Sequence, residues 1–534
     1  MPTLQFKGKS FVQNHHLTVK YHELVPVPEK SLTDKVRLDD NLIIHGDNLV
    51  ALKTLLPMYA GRVKCIYIDP PYNTGEERWV YNDNVNSPMI REWLGKVVDK
   101  DDLTRHDKWL CMMFPRLQLL YELLSDDGFI FVSIDHFEIA HLRPIMDEIF
   151  GSQNHRNTIA VRRGIKNVQA QFMDVQALST GHEYVLMYSK RENIRIPKLG
   201  HKLTEASNGK WDTFWRGTDR PTMRYLFLGQ SPETGQWRWE ETRAQRAYEN
   251  YQEYLKLHQE TGVSIDDYYL YHLQSTNEKL DFVRLNDENV VQYYVPPRDV
   301  RLMSDNWMDI TISGSETSFN TEKSVGFVQR IVRWICNRGD ELILDSFAGS
   351  GTTAHAVLST NHEDNGHRKF ILIEMEDYAD SLTATRVRRT IRGSSEATND
   401  KQRGLGGTFS YFEVGQAIEP EGLLSGEFLP SYQELARYVF YTATGEEFHS
   451  EVVDESRWFV GESREYEVYL LYRPDIDALK TLALNLDFVQ QLGKPRTTKK
   501  RLVFAPARYL TDHYMEAYRM EYAQLPYEMY RTRR

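Results

Sequence analysis

The segment Asn41 to Asp69 constrains the fold more than any other part of the chain. An apolar strand, Leu42 to Ile44, runs into a Gly-Asp turn, an amphipathic helix through Leu49, Leu52 and Leu55, and a second apolar strand, Val63 to Ile68. Strand-like apolar runs flanking a three- and four-residue helical spacing specify a β-α-β unit. Such units build a parallel sheet with helices packed on its faces.

The pattern continues beyond that unit. Trp109, Met113, Leu117, Leu120, Tyr121 and Leu124 recur at helical spacing; Pro115 is expected to kink this helix and Asp126-Asp127-Gly128 to close it. Phe129 to Ile134 and His182 to Ser189 read as further strands. The alternation then fails, and the chain becomes rich in Tyr, Trp, Gln, Glu and Arg, as an inserted module would. Strand signals resume at Glu341 to Asp345 and Lys369 to Glu374, with a helix between them that starts after a glycine-rich turn. Past Gly393, SSEATNDKQRGLGG has the composition of a linker. The expected organisation is an N-terminal arm (1–40), a first half of an α/β core (41–190), an insert (191–300), a second half of the core (301–395) and a C-terminal module (396–534). A chain of 534 residues exceeds what one core usually supports, which agrees with that division.

Composition excludes several classes. Hydrophobic residues at 41% and charged residues at 26% leave no room for a largely disordered chain. No run approaches the ~20 apolar residues of a membrane span, and MPTLQFKGKSFVQNHH has no secretory apolar core, so a cytoplasmic protein is expected. The net charge of -11 argues against indiscriminate coating of nucleic acid but permits a local basic groove. Cys65, Cys111 and Cys336 are far apart inside apolar runs, which predicts core thiols and no metal ligand set.

Two motifs carry chemistry. Asp69-Pro70-Pro71-Tyr72 directly follows a strand, at the sheet edge where α/β proteins bind ligands. An aryl amine's lone pair is delocalised into its ring, so methylation needs the nitrogen made tetrahedral with its protons held. Asp69 can accept one N–H and the carbonyl of Pro70 the other, since a proline pair presents backbone oxygens rigidly. Tyr72 offers a flat face for an extruded base, a contact worth ~1–3 kcal/mol. The plainer reading is a Pro-Pro turn beside a helix-capping Asp. The second motif, Asp345-Ser346-Phe347-Ala348-Gly349-Ser350-Gly351-Thr352-Thr353, is a strand, glycine turn and helix start that lets a nucleoside approach the backbone. Glu374 ends the next strand, where an acidic side chain grips ribose hydroxyls. Asp47 either accepts an adenine amino group or caps the helix that follows it.

Together, HGDNLVALKTL (His45 to Leu55), DPPYNTG (Asp69 to Gly75) and DSFAGSGTTAHAV (Asp345 to Val357) resemble the β-class DNA amino-methyltransferases, in which DPPY precedes the donor motif and a target-recognition region lies between. The resemblance covers roughly residues 40 to 395. HEYVLMYSK and the tail FAPARYLTD…QLPYEMYR look most like modification subunits of type III restriction-modification systems. The resemblance implies an α/β, Rossmann-like S-adenosylmethionine-dependent methyltransferase fold with an inserted target-recognition domain and a C-terminal accessory domain. It implies Asp69, Pro70, Pro71 and Tyr72 as catalytic. It implies Asp47, Phe347, Ala348, Gly349, Ser350, Gly351, Thr352 and Glu374 as holding the donor, with a helix over Asn320 to Ile331 closing on its methionine part. Ser346 departs from the family's usual proline, which removes only backbone stiffness. DPPY is associated with N6 of adenine, with N4 of cytosine as the alternative.

Duplex DNA is the expected substrate. Arg162, Arg163 and Lys166 are candidate phosphate contacts, and the Arg386/Arg388/Arg389/Arg392 and Lys494 to Arg501 clusters are weaker ones. The arginines and aromatics of the insert suit base reading. The resemblance further implies a homodimer and a restriction (helicase/nuclease) or other defence-system subunit. Gly8-Lys9-Ser10 lacks the upstream glycine of a phosphate-binding loop, so ATP-driven translocation would fall to that partner. The rivals are a non-catalytic DNA-binding subunit and a dinucleotide oxidoreductase; DPPY has no part in hydride transfer.

Overall fold

The computed structural model describes residues 3–73, 104–164, 178–218, 220–276, 278–314, 322–393, 404–495 and 497–527, with backbone alone for 201–207 and 298–301. The chain divides into two compact units, one of residues 1–197 with 305–534 and one of 198–304.

Among the described residues of the larger unit, ten strands form one sheet. They are β1 (His22–Pro26), β2 (Leu42–His45), β3 (Val63–Ile68), β4 (Leu124–Ile134), β5 (His155–Arg162), β6 (His182–Ser189), β7 (Asn306–Thr311), β8 (Leu342–Asp345), β9 (Lys369–Glu374) and β10 (Ser410–Ala417). Their order is β1-β10-β2-β9-β8-β3-β4-β6-β5-β7. From β10 through β4 every pairing is parallel, and β6 and β1 run against their neighbours. The short runs LIIH, VKCIYI, LILD and KFILIE are buried almost throughout, as central parallel strands covered on both faces must be.

Helix α1 (Asn48–Tyr59) is buried on nearly all sides, because α2 (Arg105–Leu123) and α7 (Tyr432–Thr444) both pack on it. α2 runs through Pro115 as one helix, and β4 begins directly at Leu124, so Asp126-Asp127-Gly128 lies in a strand rather than in the expected closing turn. The remaining helices that bear on the site are α3 (Ile139–Met146), α4 (Val325–Ile335), α5 (Thr352–Asp364) and α6 (Thr385–Arg392). Cys65, Cys111 and Cys336 are buried thiols, none of them in a disulfide. Among the described residues no helix is long and apolar enough to cross a membrane.

The outer boundaries differ from the expected ones. β1 comes from the N-terminal arm and β10 from beyond residue 395, yet both extend the main sheet. β2 would otherwise expose a row of unpaired backbone groups, and β10 covers it in parallel register from Ser410↔Leu42 to Glu413↔His45. Most of the expected linker, 394–403, lies outside the described residues. The C-terminal region holds a sheet of β11 (Phe459–Glu462), β12 (Tyr466–Leu470), β13 (Lys500–Ala505) and β14 (Met520–Gln524). It is no detached module: Leu435, Tyr438, Val468, Leu470 and Phe504 belong to the same buried cluster as Leu52, Leu55 and Trp109. The run Lys494 to Arg501 is not a positive face either. Arg501 is buried against Glu467 at 3.2 Å, Lys499 pairs with Glu462 and Lys500 with Glu521.

The smaller unit contains two helices (Glu241–Thr261 and Ile265–Thr276) and a three-stranded antiparallel sheet of Lys210–Thr213, Val283–Leu285 and Val291–Val295. Its aromatics form its own core. Phe214, Phe227 and Trp237 make one buried cluster, and Tyr254, Tyr269, Phe282 and Tyr294 another. Arg238, Arg243 and Arg284 lie over Tyr293, Trp239 and Trp211 at 4.3 to 4.4 Å. Much of the composition that suggested base reading is therefore internal packing, because a unit this small fills its core with its largest side chains.

Candidate active site

The sheet order creates the site. β2 and β3 are joined through α1 but do not touch, because β9 and β8 lie between them. The carboxyl ends of β2, β9, β8 and β3 therefore meet along one edge, carrying Asp47, Glu374, the glycine turn and DPPY in that order. A crevice at such a switch in strand order is where open α/β sheets bind ligands.

Past β3 the chain turns sharply. Trp109 Nε1 on α2 donates to the carbonyl of Pro71 at 2.7 Å. Among the described residues the Pro70 carbonyl accepts no hydrogen bond. Tyr72 packs partly buried against the core, and its hydroxyl donates to Glu183 Oε2 at 2.8 Å. Lys323 completes a ring: its Nζ donates to the Tyr72 hydroxyl at 2.6 Å and lies 3.0 Å from Glu183 Oε2 and 3.1 Å from Asp69 Oδ1. It also sits 4.7 Å from the Tyr72 ring centroid, beyond the hydroxyl end of the ring. Arg163 approaches the other oxygen of Glu183 at 3.4 Å.

These charges set each other's protonation. Burial raises Asp69 to about 6, against the opposing pull of Lys323. Burial also acts on Glu183, but there Lys323, Tyr72 and Arg163 together prevail and hold it below the ordinary range. Lys323 is raised, because its two carboxylates outweigh the burial that would neutralise it. The hydroxyl of Tyr72 is driven up by burial, then by Asp69 and Glu183, and stays protonated.

The glycine turn after β8 is braced from several sides. Asp345 accepts from the Phe347 amide at 3.0 Å and from the Thr353 hydroxyl at 2.5 Å. Gly349 (φ 51°) and Gly351 (φ 80°) take the left-handed conformation, and a Cβ on Gly351 would lie 3.3 Å from the Thr383 carbonyl. Glu374 Oε2 accepts from the Gly349 amide at 2.7 Å and Oε1 from the Glu376 amide at 3.0 Å. Arg386 is buried: it donates to Ser350 Oγ at 2.7 Å and Thr352 Oγ1 at 3.0 Å, and pairs with Glu322 at 2.7 Å. Of the α6 arginines, Arg386 braces the turn and Arg388 pairs with Asp380, whereas Arg389 and Arg392 are exposed. Asp47 is the N-cap of α1, its Oδ1 accepting from Leu49 at 2.7 Å and Val50 at 3.3 Å. Asn48, unnoticed in the sequence, donates to the Ser346 carbonyl at 2.9 Å and ties the β2 end to the β8 end.

The donor set suits a cationic nucleoside. Burial raises both Asp345 and Glu374 to about 7, and the charges of Asp69 and Glu374 add to the rise at Asp345. Carboxylates that crowd and desolvate one another gain most from a positive ligand between them. A sulfonium beside a ribose supplies that charge, and the glycine turn supplies the close backbone.

Of the expected DNA contacts, Arg162 is exposed at the end of β5 and donates to Thr311 at 3.0 Å, Arg163 reaches Glu183, and Lys166 lies outside the described residues. The expected closing helix is α4, which starts at Val325; residues 320 and 321 lie outside the described residues. Lys323 and Glu183 escaped sequence reasoning because no spacing links them to Asp69. His106 on α2 also meets Glu138 and His141, three residues apart at the start of α3, with ligand atoms within 4.8 Å of one another.

The family described as DNA methylase matches residues 63–384, more than half of the chain. The type II methyltransferase M.KpnI of Klebsiella pneumoniae is 31% identical over 62% of this chain and 80% of its own length. The Mod subunit of the StyLTI type III restriction-modification enzyme of Salmonella typhimurium is 29% identical over 74% of this chain and 64% of its own length. The EcoP15I Mod subunit of Escherichia coli is 28% identical over 63% and 58%. The chain thus spans about three fifths of those Mod subunits. The solved structure of PvuII DNA methyltransferase (cytosine-N4-specific) aligns with a TM-score of 0.34 at 12% identity over 68% of this chain and 89% of that one. By the extent of the family match and the likeness to M.KpnI, this chain belongs to the DNA methylase family.

Proposed function

We propose that the chain methylates N6 of adenine in duplex DNA, with S-adenosylmethionine as donor, as the modification subunit of a type III-like system. The observation that carries the reading is the adjacency of DPPY and the glycine turn on neighbouring strands β3 and β8. Bound against that turn, S-adenosylmethionine supplies an electrophilic methyl group.

Asp69, ionised, accepts one N–H of the target amine, and the Pro70 carbonyl accepts the other. Holding both protons out of the ring plane returns the lone pair to nitrogen and aims it across the crevice. Lys323 holds the hydroxyl end of Tyr72, and the Tyr72 ring offers an extruded base a face on which to stack. Glu374 and Asp345 would hold the donor's ribose and offset its positive charge, and Asp47 would offer Oδ2 to the donor's adenine. Arg162, Arg163 and Lys166 engage phosphates, and the 198–304 unit reads the sequence. A second copy of this chain and a separate restriction subunit complete the assembly.

Incubating purified protein with methyl-labelled S-adenosylmethionine and unmethylated genomic DNA, then analysing nucleosides by mass spectrometry, should give labelled N6-methyladenine. Labelled N4-methylcytosine would reassign the base. No labelled nucleoside from protein that binds the donor would sink the reading.

Donor affinity is expected to depend on pH. Glu374 titrates at about 7 without ligand, and a positive ligand favours its ionised form. Affinity is therefore full above that pH and falls below it by up to about tenfold per pH unit for each of Glu374 and Asp345 that must ionise, with proton release on binding. Calorimetry in buffers of different ionisation enthalpy measures both quantities. Flat affinity from about pH 5 to 8 would remove Glu374 from the donor site.

A further inference from the structure

Asn73 follows DPPY immediately, is 1% exposed, and holds a left-handed backbone at φ 57°. Asparagine tolerates that conformation better than most residues, but burying its carboxamide requires a partner. The partner is Glu138, whose Oε1 accepts from Asn73 Nδ2. Glu138 is fully buried in the turn between β4 and α3. Because β4 pairs in parallel with β3, that turn lies at the same sheet edge as DPPY.

Glu138 stands at the N-cap of α3 yet makes no side-chain cap. Its carboxylate instead meets two imidazoles: His106 Nδ1 is hydrogen-bonded to Oε1 at 2.6 Å, and His141 Nδ1 lies 2.9 Å from Oε2, an ion-pair distance without a hydrogen-bonding angle. His106 lies one helical turn before Trp109, the residue that holds the Pro71 carbonyl. The residues after Asp69 are therefore pinned twice, at Pro71 from α2 and at Asn73 from the β4–α3 turn.

The trio has the composition of a metal site, but its separations are shorter than a shared ion would set. Two ligands each ~2.1 Å from a tetrahedral ion lie about 3.4 Å apart, whereas the two imidazole-carboxylate separations are 2.6 and 2.9 Å. One of the carboxylate oxygens is, moreover, already shared with Asn73.

We infer that Glu138 is a positioning residue: acting through Asn73, and steadied by His106 and His141, it fixes the backbone from which Asp69, Pro70 and Tyr72 meet the target amine. The inference rests on the methyltransferase reading of DPPY but has a readout independent of it. Glu138→Gln keeps the shape and loses the charge that holds both imidazoles. In the full chain, hydrogen exchange of the peptide covering residues 69–73 should quicken about tenfold or more, with peptides of the glycine turn unchanged. Single-turnover methylation should fall roughly 100-fold, the scale of an ångström-sized misplacement, with donor affinity unchanged within about threefold.

The exchanged pair Asn73→Asp with Glu138→Gln reverses donor and acceptor: the amide nitrogen in the place of Oε1 donates to the new carboxylate at position 73 and to His106, which can accept at Nδ1 in its other tautomer, while the amide oxygen still faces His141. It should regain at least about tenfold of the loss. Three results would overturn the inference: unchanged exchange in Glu138→Gln, no recovery in the exchanged pair, or Co²⁺ binding with visible absorption bands that vanish in His141→Ala. Quickened exchange in a protein whose wild type methylates nothing would support the positioning and fault the reading of function instead.

Discussion

Asp69→Ala is expected to lower single-turnover methylation by roughly 10³-fold, the scale lost when a preorganised group that meets developing charge is removed. Donor affinity should change little, because the glycine turn is braced by Asp345, Glu374 and Arg386 rather than by Asp69. Asp69→Asn is the sharper comparison. The amide keeps an oxygen that accepts one N–H, so its loss should be smaller, about tenfold to 100-fold. The two variants differ most in pH dependence. Burial raises Asp69 to about 6, and the ionised form is the acceptor. Wild-type activity is therefore present above that pH and lost as pH falls through it. With donor saturating, so that Glu374 and Asp345 do not limit, the acid limb should be seen in wild type and be absent in Asp69→Asn. Rates measured from about pH 5 to 8 decide this; an acid limb that survives in the amide variant would assign the titration elsewhere.

Lys323→Met should be nearly as damaging, for a different reason. Lys323 is the cation between a buried carboxylate and a partly buried one, 3.0 Å from Glu183 and 3.1 Å from Asp69. Removing one partner from such a cluster leaves uncompensated charge and costs on the order of 3–5 kcal/mol. Part of that cost is met by protonation, so Asp69 should hold its proton to higher pH. The acid limb should move above about 6, and the rate at neutral pH should drop roughly 100-fold, since a shift of one pKa unit corresponds to about 1.4 kcal/mol. Urea unfolding measures the stability term and the pH-rate profile measures the shift. Adding Glu183→Gln to Lys323→Met removes the second stranded charge and should restore much of the stability without restoring the rate. If stability falls while the acid limb stays in place, Lys323 braces the loop without tuning Asp69.

What the sequence revealed followed from local pattern. β2, β3, β8 and β9 were legible because central parallel strands are unbroken apolar runs bounded by turns. The two motifs were legible because each sits whole at the end of one such run. β1, β5, β7 and β10 were not, since the strands at and next to the two edges of the sheet are partly exposed and alternate weakly; HRNTIAVR, the sequence of β5, buries little beyond Ile159 and Val161. The motifs' supporting residues were hidden for a separate reason. Lys323, Glu183, Glu138, Asn48 and Arg386 act through contacts made across the sheet edge, and nothing local marks a lysine as the counter-ion of an aspartate so remote in sequence. The aromatics of the insert misled in the opposite direction, because composition does not say whether a ring faces a base or a neighbouring ring.

The strand order has a consequence for biosynthesis. β2 and β3 emerge from the ribosome early, but the strands that separate them, β8 and β9, are made only after the whole 198–304 unit. At 5–20 residues per second that interval is on the order of tens of seconds. For that time the nascent chain carries two short apolar strands with no partner for their facing edges, a liability for mispairing with other chains. A gene truncated before β8 should therefore yield insoluble protein rather than a smaller working enzyme.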